Sequence, residues 1–349
     1  MANAAGTSVP LATNRKGRPR SGVSVTKGIM STKDNFNLGS LFWSGIADDR
    51  AGHMAGEAAK LGNLRAGDSG AMTKQGDVVG GCPRRAYVRS MLGIEAEVPE
   101  QNNLLMFEVG KANEVIWLDK LKRSWPGLIK QEEEIPISWT TSNGVRVTGR
   151  PDIVLCNAEG KPMLGIEHKA VCSLWTTRDV TFEGTPKLKH LLQAAHYMWK
   201  LAVPYRLVYT QYVQYNFPDW AAKMFPAKHP AISLNDKGQP KAVLPHITIY
   251  ELAFDKAGLI QYRIEGETRW TTAAVGRDDI ERYYEFASVM AERKALGPRP
   301  APVKADGSKA GYSDCNYCPL VDVCNSYENK WEKWHDEIKA RYTGQGQSK

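Results

Sequence analysis

Three of the chain's six cysteines lie in one short segment, Cys315-x2-Cys318-x5-Cys324, and this spacing limits the possible folds more than any other feature. A C-x2-C turn brings two sulfurs onto one metal ion or cluster, and the third spacing is not that of a zinc finger. Three thiolates need a fourth ligand. Cys82, more than two hundred residues upstream, is the best candidate. A shared centre would close a loop of that length, so the segments around Cys82 and Cys315 must meet. Six cysteines in 349 residues are too few for a disulfide scaffold, and their clustering points to metal chemistry in a reducing, cytoplasmic setting. Cys156 and Cys172 read as buried core thiols.

Periodicity supplies the elements. Asn102 to Arg123 is helical, with Leu105, Val109, Ala112 and Ile116 on one stripe and Phe107, Leu118 and Leu121 on another, so this helix is expected to be buried on two sides. After Pro126-Gly127 come strand-like runs at Ile135–Trp139, Val145–Leu155 and Met163–Ala170. The turn Asn157-Ala158-Glu159-Gly160 makes the last two a hairpin. Lys187 to Ala202 is again helical, carrying Leu188, Leu191, Leu192, Ala195 and Trp199 on one face. Strands follow at Arg206–Tyr215 and His246–Phe254, then a helix from Asp278 to Leu296 and a linker from Gly297 to Pro302. A last amphipathic helix carries Trp331 and Trp334. This mixture defines an α/β protein.

Composition narrows the partners. Apolar residues make up 42% and charged residues 24%, enough for a sizeable core, and no apolar run is long enough to span a membrane. The N-terminus shows no secretory signal pattern. The net charge is +8, and more than half of it sits in residues 1–35, where Arg15, Lys16, Arg18, Arg20, Lys27 and Lys33 face Asp34 alone. That segment reads as a disordered basic arm making phosphate contacts, which favours DNA as the partner. Residues 36–349 read as one domain with its core at about 101–296.

The hairpin carries the chemistry. One strand ends at Gly149-Arg150-Pro151-Asp152 and the next holds Glu167-His168-Lys169. Glu167 and Lys169 share a face, and His168 points to the other. Pairing of Leu155 with Pro162 across the turn sets Asp152 opposite Gly165 and diagonal to Glu167, within reach of a shared cation. Hard oxygen ligands suit Mg²⁺ or Mn²⁺, and Lys169 is placed to act on an attacking water. On the first helix, Glu114 sits among Phe107, Leu118 and Leu121 and needs a cation or hydrogen-bond partner there. His190, Gln193 and Tyr197 lie opposite the leucine stripe of the later helix; residue type alone makes this a solvated polar face.

Pro151-Asp152 followed by Glu167-His168-Lys169 resembles the PD-(D/E)XK nuclease superfamily, and the spacing Gln193-x3-Tyr197 resembles the signature of its RecB-like branch. Those nucleases take a metal ligand from a histidine four residues after a helical glycine; here Glu114 stands four residues after Gly110. The cysteine pattern resembles the staple of AddB-type nucleases and of the CRISPR-adaptation exonucleases, with Arg85 and Tyr87 just after Cys82. The resemblance covers roughly Cys82 to Tyr327. It implies a restriction-endonuclease-like core, a mixed central sheet flanked by helices, with an iron–sulfur subdomain formed by the Cys82 region and residues 311–349. It implies Glu114, Asp152, Glu167 and the His168 carbonyl as Mg²⁺ or Mn²⁺ ligands, Lys169 as the catalytic lysine, and Gln193 and Tyr197 beside the site. Cys82, Cys315, Cys318 and Cys324 would hold a [4Fe–4S] cluster, although four thiolates also suit Zn²⁺.

The implied activity is exonucleolytic cleavage of single-stranded DNA or DNA ends in recombination or repair, as in phage or mobile elements. The chain has no G-x4-G-K-[ST] loop, so a helicase or recombination protein would be a partner. Two other readings share these residues: an endonuclease of the same superfamily, and a non-catalytic DNA-binding protein with a structural metal site. Lys16-Gly17-Arg18-Pro19-Arg20 also resembles an AT-hook, a reader of the A·T-rich minor groove.

Overall fold

The β-branched and aromatic runs between residues 128 and 276 pair into one mixed seven-strand sheet in a computed structural model that describes residues 62–94, 101–131, 134–290, 292–310, 315 and 318–342. The chain divides into two units, Met1–Phe42 and Trp43–Lys349, and every described residue belongs to the second. The basic arm with Arg15, Lys16, Arg18 and Arg20 lies outside the described residues.

The sheet consists of β1 (Leu128–Gln131), β2 (Ile153–Cys156), β3 (Pro162–Val171), β4 (Tyr205–Gln211), β5 (His246–Phe254), β6 (Leu259–Ile264) and β7 (Thr271–Gly276). Its spatial order is the chain order. Neighbours are antiparallel except β3 and β4, which run parallel. The longer helices are α1 (Pro83–Met91), α2 (Gln101–Ser124), α3 (Leu188–Leu201), α4 (Arg277–Ser288), α5 (Val321–Ser326) and α6 (Trp331–Tyr342). A parallel pair needs a crossover, and α3 supplies it between β3 and β4. No helix among the described residues is long and apolar enough to cross a membrane.

The two sheet faces carry different helices. On one, Leu191, Leu192, Ala194 and Ala195 of α3 pack on Tyr205, Leu207 and Tyr209 of β4 and Tyr250 of β5. On the other, Trp117, Leu118 and Leu121 of α2 cover Ile153, Leu155, Ile166 and Val208. Here the expectation for α2 fails. Phe107, Val115 and Ile116 are exposed, Leu105 marginally so, and the helix meets the sheet only through its C-terminal half. Helical periodicity reports an apolar face but not whether a partner exists to cover it.

Three further differences have local causes. The expected strand Val145–Leu155 is broken: Arg146–Gly149 joins Ile137–Thr140 and Leu64–Arg65 in a separate small sheet, and β2 starts at Ile153. Pro151 cannot donate a ladder hydrogen bond, so the chain changes sheets there. The helix expected to reach Leu296 ends at Ser288, and Met290 turns into a second core. The linker is partly a strand, with Pro300–Ala301 parallel to Val78–Val79.

That second core joins distant segments. Tyr87 and Val88 of α1 pack with Leu320, Val323, Trp331, Trp334 and Ile338, so α5 and α6 dock on the segment that begins at Cys82. The Arg84 guanidinium adds a 2.6 Å hydrogen bond to the Gly297 carbonyl.

Candidate active site

Asp152 stands immediately before β2, at the break Pro151 imposes, and Glu167 and Lys169 sit on β3. The pairing runs Ile153 to Ile166, Val154 to Gly165 and Leu155 to Leu164, with a bulge before Cys156 meets Pro162. The turn and the bulge together correct the expected register. Asp152 therefore falls level with Glu167 instead of diagonal to it, a closer approach of the two carboxyl groups. The His168 backbone N–H donates to Asp152 Oδ2 at 2.7 Å, fixing that carboxylate across the hairpin. Lys169 Nζ donates to Glu167 Oε1 at 2.5 Å, while Glu167 Oε2 is buried with no hydrogen-bond partner among the described residues.

This is an unbalanced pocket. Burial, and the Asp152 charge beside it, push the Glu167 carboxyl up to about 8 despite Lys169. Burial also raises Asp152, against the pull of Lys169 and the His168 N–H. Burial by itself would lower Lys169, but the Glu167 and Asp152 charges reverse this and hold its ammonium above the ordinary lysine range. With both carboxyls ionised the group is one positive charge short, and without a further cation the raised Glu167 keeps its proton.

The neighbours sort into two groups. Tyr197 of α3 is buried, and Gln193 Nε2 donates to its hydroxyl at 3.3 Å. Burial and the nearby Glu167 charge keep that phenol well above its ordinary range. The polar face of α3 is thus turned toward the carboxylates. Gly149 makes this possible, since a Cβ there would lie 2.6 Å from the Tyr197 ring. His190 lies near enough to Lys169 to be held neutral by burial and by that charge, and its Nδ1 meets the Tyr209 hydroxyl at 3.2 Å. The His168 ring turns to the α2 side, where its Nε2 and the Trp117 Nε1 share Thr210 Oγ1, each at 2.9 Å. Only the His168 main chain faces Asp152. Glu114 is half-buried on α2, and its charge is felt at Glu167 and Lys169.

Among the described residues, no three His, Cys, Asp or Glu side chains converge as a ready-made metal cage. Asp152 and Glu167 form a pair, and Glu114 stays outside it. A pair fits Mg²⁺, which binds through one or two carboxylates and keeps waters. The orphaned Glu167 Oε2 and the missing positive charge are what such a cation would satisfy.

Cys82, Cys315 and Cys318 line one small cavity with Asp68, Arg85 and Lys189. Burial pushes the Cys82 thiol up to about 12, and the charges of Cys324 and Cys318 act in the same direction. Burial raises Cys318 as well, and Arg85 opposes it. The four expected cysteines thus gather at the junction of α1 and α5, although they do not converge as a formed metal centre. Cys156 is buried as expected, but Cys172 is exposed, because the chain leaves the sheet directly after Val171.

Tyr205 was not legible as a site residue. Its ring roofs Gly165, where a Cβ would lie 2.0 Å away, and its buried hydroxyl has no partner among the described residues. A lone glycine inside a strand was the available signal.

No family model matches the sequence, and no curated protein matches it. A solved structure described as "Crystal structure of SSO0001" is similar over 50% of this chain and 72% of its own, at 16% identity and a TM-score of 0.33.

Proposed function

We propose that the chain is a metal-dependent deoxyribonuclease with a restriction-endonuclease-like core, acting on single-stranded DNA or DNA ends. The observation that carries this reading is the buried Asp152–Glu167–Lys169 group, in which two carboxyls share one ammonium and one carboxyl oxygen of Glu167 has no partner among the described residues. A purely structural ion pair would have no use for the second carboxyl. Asp152, Glu167 and the His168 carbonyl would hold Mg²⁺ or Mn²⁺, with Glu114 reaching it from α2. Such an ion supplies a water of lowered pKa and charge stabilisation at the phosphate. Lys169, held as an ammonium by two carboxylates, orients that water and offsets charge on the phosphoryl oxygens. Gln193, half-buried and oriented by the buried Tyr197, would meet the strand beside it.

The cysteine cavity supports a [4Fe–4S] cluster on Cys82, Cys315, Cys318 and Cys324. Thiols kept protonated by burial lose their protons when a metal centre binds. About four irons per chain and broad absorbance near ~400 nm fit the cluster; one zinc without colour keeps the junction and changes its metal.

The test is end-labelled DNA with Mg²⁺ or Mn²⁺. Progressive shortening supports an exonuclease, and discrete bands an endonuclease. Binding without hydrolysis by folded, metal-loaded protein overturns the enzyme reading.

A further inference from the structure

Tyr209 of β4 is the register partner of Lys169 on β3. Paired residues point to the same side of a sheet, so both lie on the α3 face. His190, in the first turn of α3, joins them from the helix. Its ring centroid lies 5.7 Å from that of Tyr209, and its Nδ1 is 3.2 Å from the Tyr209 hydroxyl. The same hydroxyl accepts the Lys187 backbone N–H at 3.1 Å. Nε2, on the other edge of the ring, has no hydrogen-bond partner among the described residues. His190 is half-buried and lines a groove of about 560 Å³ beside the start of α3, which opens the ring to a ligand.

We infer that His190 carries its single proton on Nε2 and donates it to a phosphoryl oxygen of the bound DNA strand, beside Lys169. The tautomer follows from the hydroxyl. Tyr209 has accepted the Lys187 N–H and has its own proton to give, and His190 Nδ1 stands within reach of it. A neutral ring whose Nδ1 accepts keeps its proton on Nε2. Burial, and then the Lys169 charge, hold the ring neutral, well below the ordinary histidine range.

The ligand follows from the charges. Those felt at His190 are Lys169, Lys189 and Lys187, all positive. Such surroundings favour an oxyanion and disfavour both a metal ion and an imidazolium. A fixed, uncharged N–H aimed at an oxygen that gains charge stabilises it without crowding another cation against Lys169. The inference rests on the nuclease reading for its substrate. It adds His190 as a group that touches the strand and Tyr209 as the residue that positions it.

Two substitutions separate the edges of the ring. His190→Asn keeps a group near Nδ1 for Tyr209 and places none at Nε2, whereas His190→Gln restores an N–H at Nε2. With end-labelled DNA and Mg²⁺, His190→Asn is expected to lose about a hundredfold in initial rate and His190→Gln less than about fivefold, both melting as the parent does. The nitrogen-15 spectrum of the full chain should show the His190 proton on Nε2, its signal shifted by an oligothymidylate added without divalent metal. Tyr209→Phe should mix the two tautomers. Equal rates in His190→Asn and the parent overturn the inference, as do equal losses in His190→Asn and His190→Gln, a proton on Nδ1, or an Nε2 signal that oligothymidylate leaves in place. The two readings fail separately. If the parent shortens DNA while His190→Asn keeps pace, the contact is wrong and the nuclease stands. If DNA survives Mg²⁺ and Mn²⁺ while oligothymidylate still shifts the Nε2 signal, the nuclease is wrong and the phosphate contact stands.

Discussion

The two faces of the seven-strand sheet are built to different standards. On the α3 face, tyrosine rings close over glycine gaps at Gly149 and Gly165, and a buried carboxylate pair is held beneath them. On the α2 face, an aliphatic cluster lies under half a helix, and the rest of that helix turns Val115 and Ile116 to solvent. Close packing here accompanies ionisable groups, because a carboxylate pair short of a cation keeps its geometry only where neighbours cannot relax around it. Among the described residues the α2 face holds an apolar cluster, the His168–Thr210–Trp117 bonds and, further along, the Arg206–Glu251–Arg263 ion pairs, and tolerates a looser cover.

The largest expected effect breaks the α3 face chemically. Lys169→Ala should lower DNA hydrolysis about 10³-fold, seen in initial rates with Mg²⁺, while a melt shows a folded protein because burial keeps Glu167 protonated without its partner. The next breaks it sterically. Gly165→Ala drives a methyl group into the Tyr205 ring and should cost about 3 kcal/mol in urea unfolding. A cost below about 1 kcal/mol would show that the ring has room to move.

The opposite face should respond less. Leu118→Ala, at a buried anchor of α2, is expected to cost about 2–3 kcal/mol. Since the helix already stands half uncovered, activity should fall only as far as Glu114 loses its position.

A pH series distinguishes the faces again. His196, on α3, accepts a 2.9 Å hydrogen bond from Trp139 Nε1, and burial together with Lys200 lowers it to about 3. The unfolded chain takes up a proton near the ordinary value of 6.5 that the folded chain refuses. This contribution is therefore complete above that value and shrinks by about 1.4 kcal/mol per unit as pH falls toward 3. His196→Gln should flatten that slope relative to the parent in melts between pH 4 and 7. The smallest effect belongs to the uncovered helix: Ile116→Ser should change stability by less than about 0.5 kcal/mol. A loss above 1 kcal/mol would mean that something covers Ile116 in solution.

Local signals in the sequence were the reliable ones. The hairpin turn, the alternation of Glu167 and Lys169, β5 and α3 all follow from spacing within one element. Misreadings arose where the partner decides. The turn and the bulge at Cys156 together shift Asp152 by two positions, from Gly165 to Glu167, which alternation does not reveal, and α2 leaves part of its apolar surface exposed. Tyr197 turns inward where Gly149 leaves room for its ring, which residue type alone does not show. β6 and β7 went unread in the sequence, although β6 alternates half-buried and buried positions over its first four residues.

The docking of α5 and α6 on α1 also sets a schedule for synthesis. The sheet strands succeed one another along the chain and can pair as they emerge, but Tyr87 and Val88 wait for partners made more than two hundred residues later. At about 5–20 residues per second, that side of α1 stays uncovered for roughly ten to fifty seconds on the ribosome. During that interval Cys82 is an accessible thiol, so the translation of α5 and α6 decides when it becomes protected.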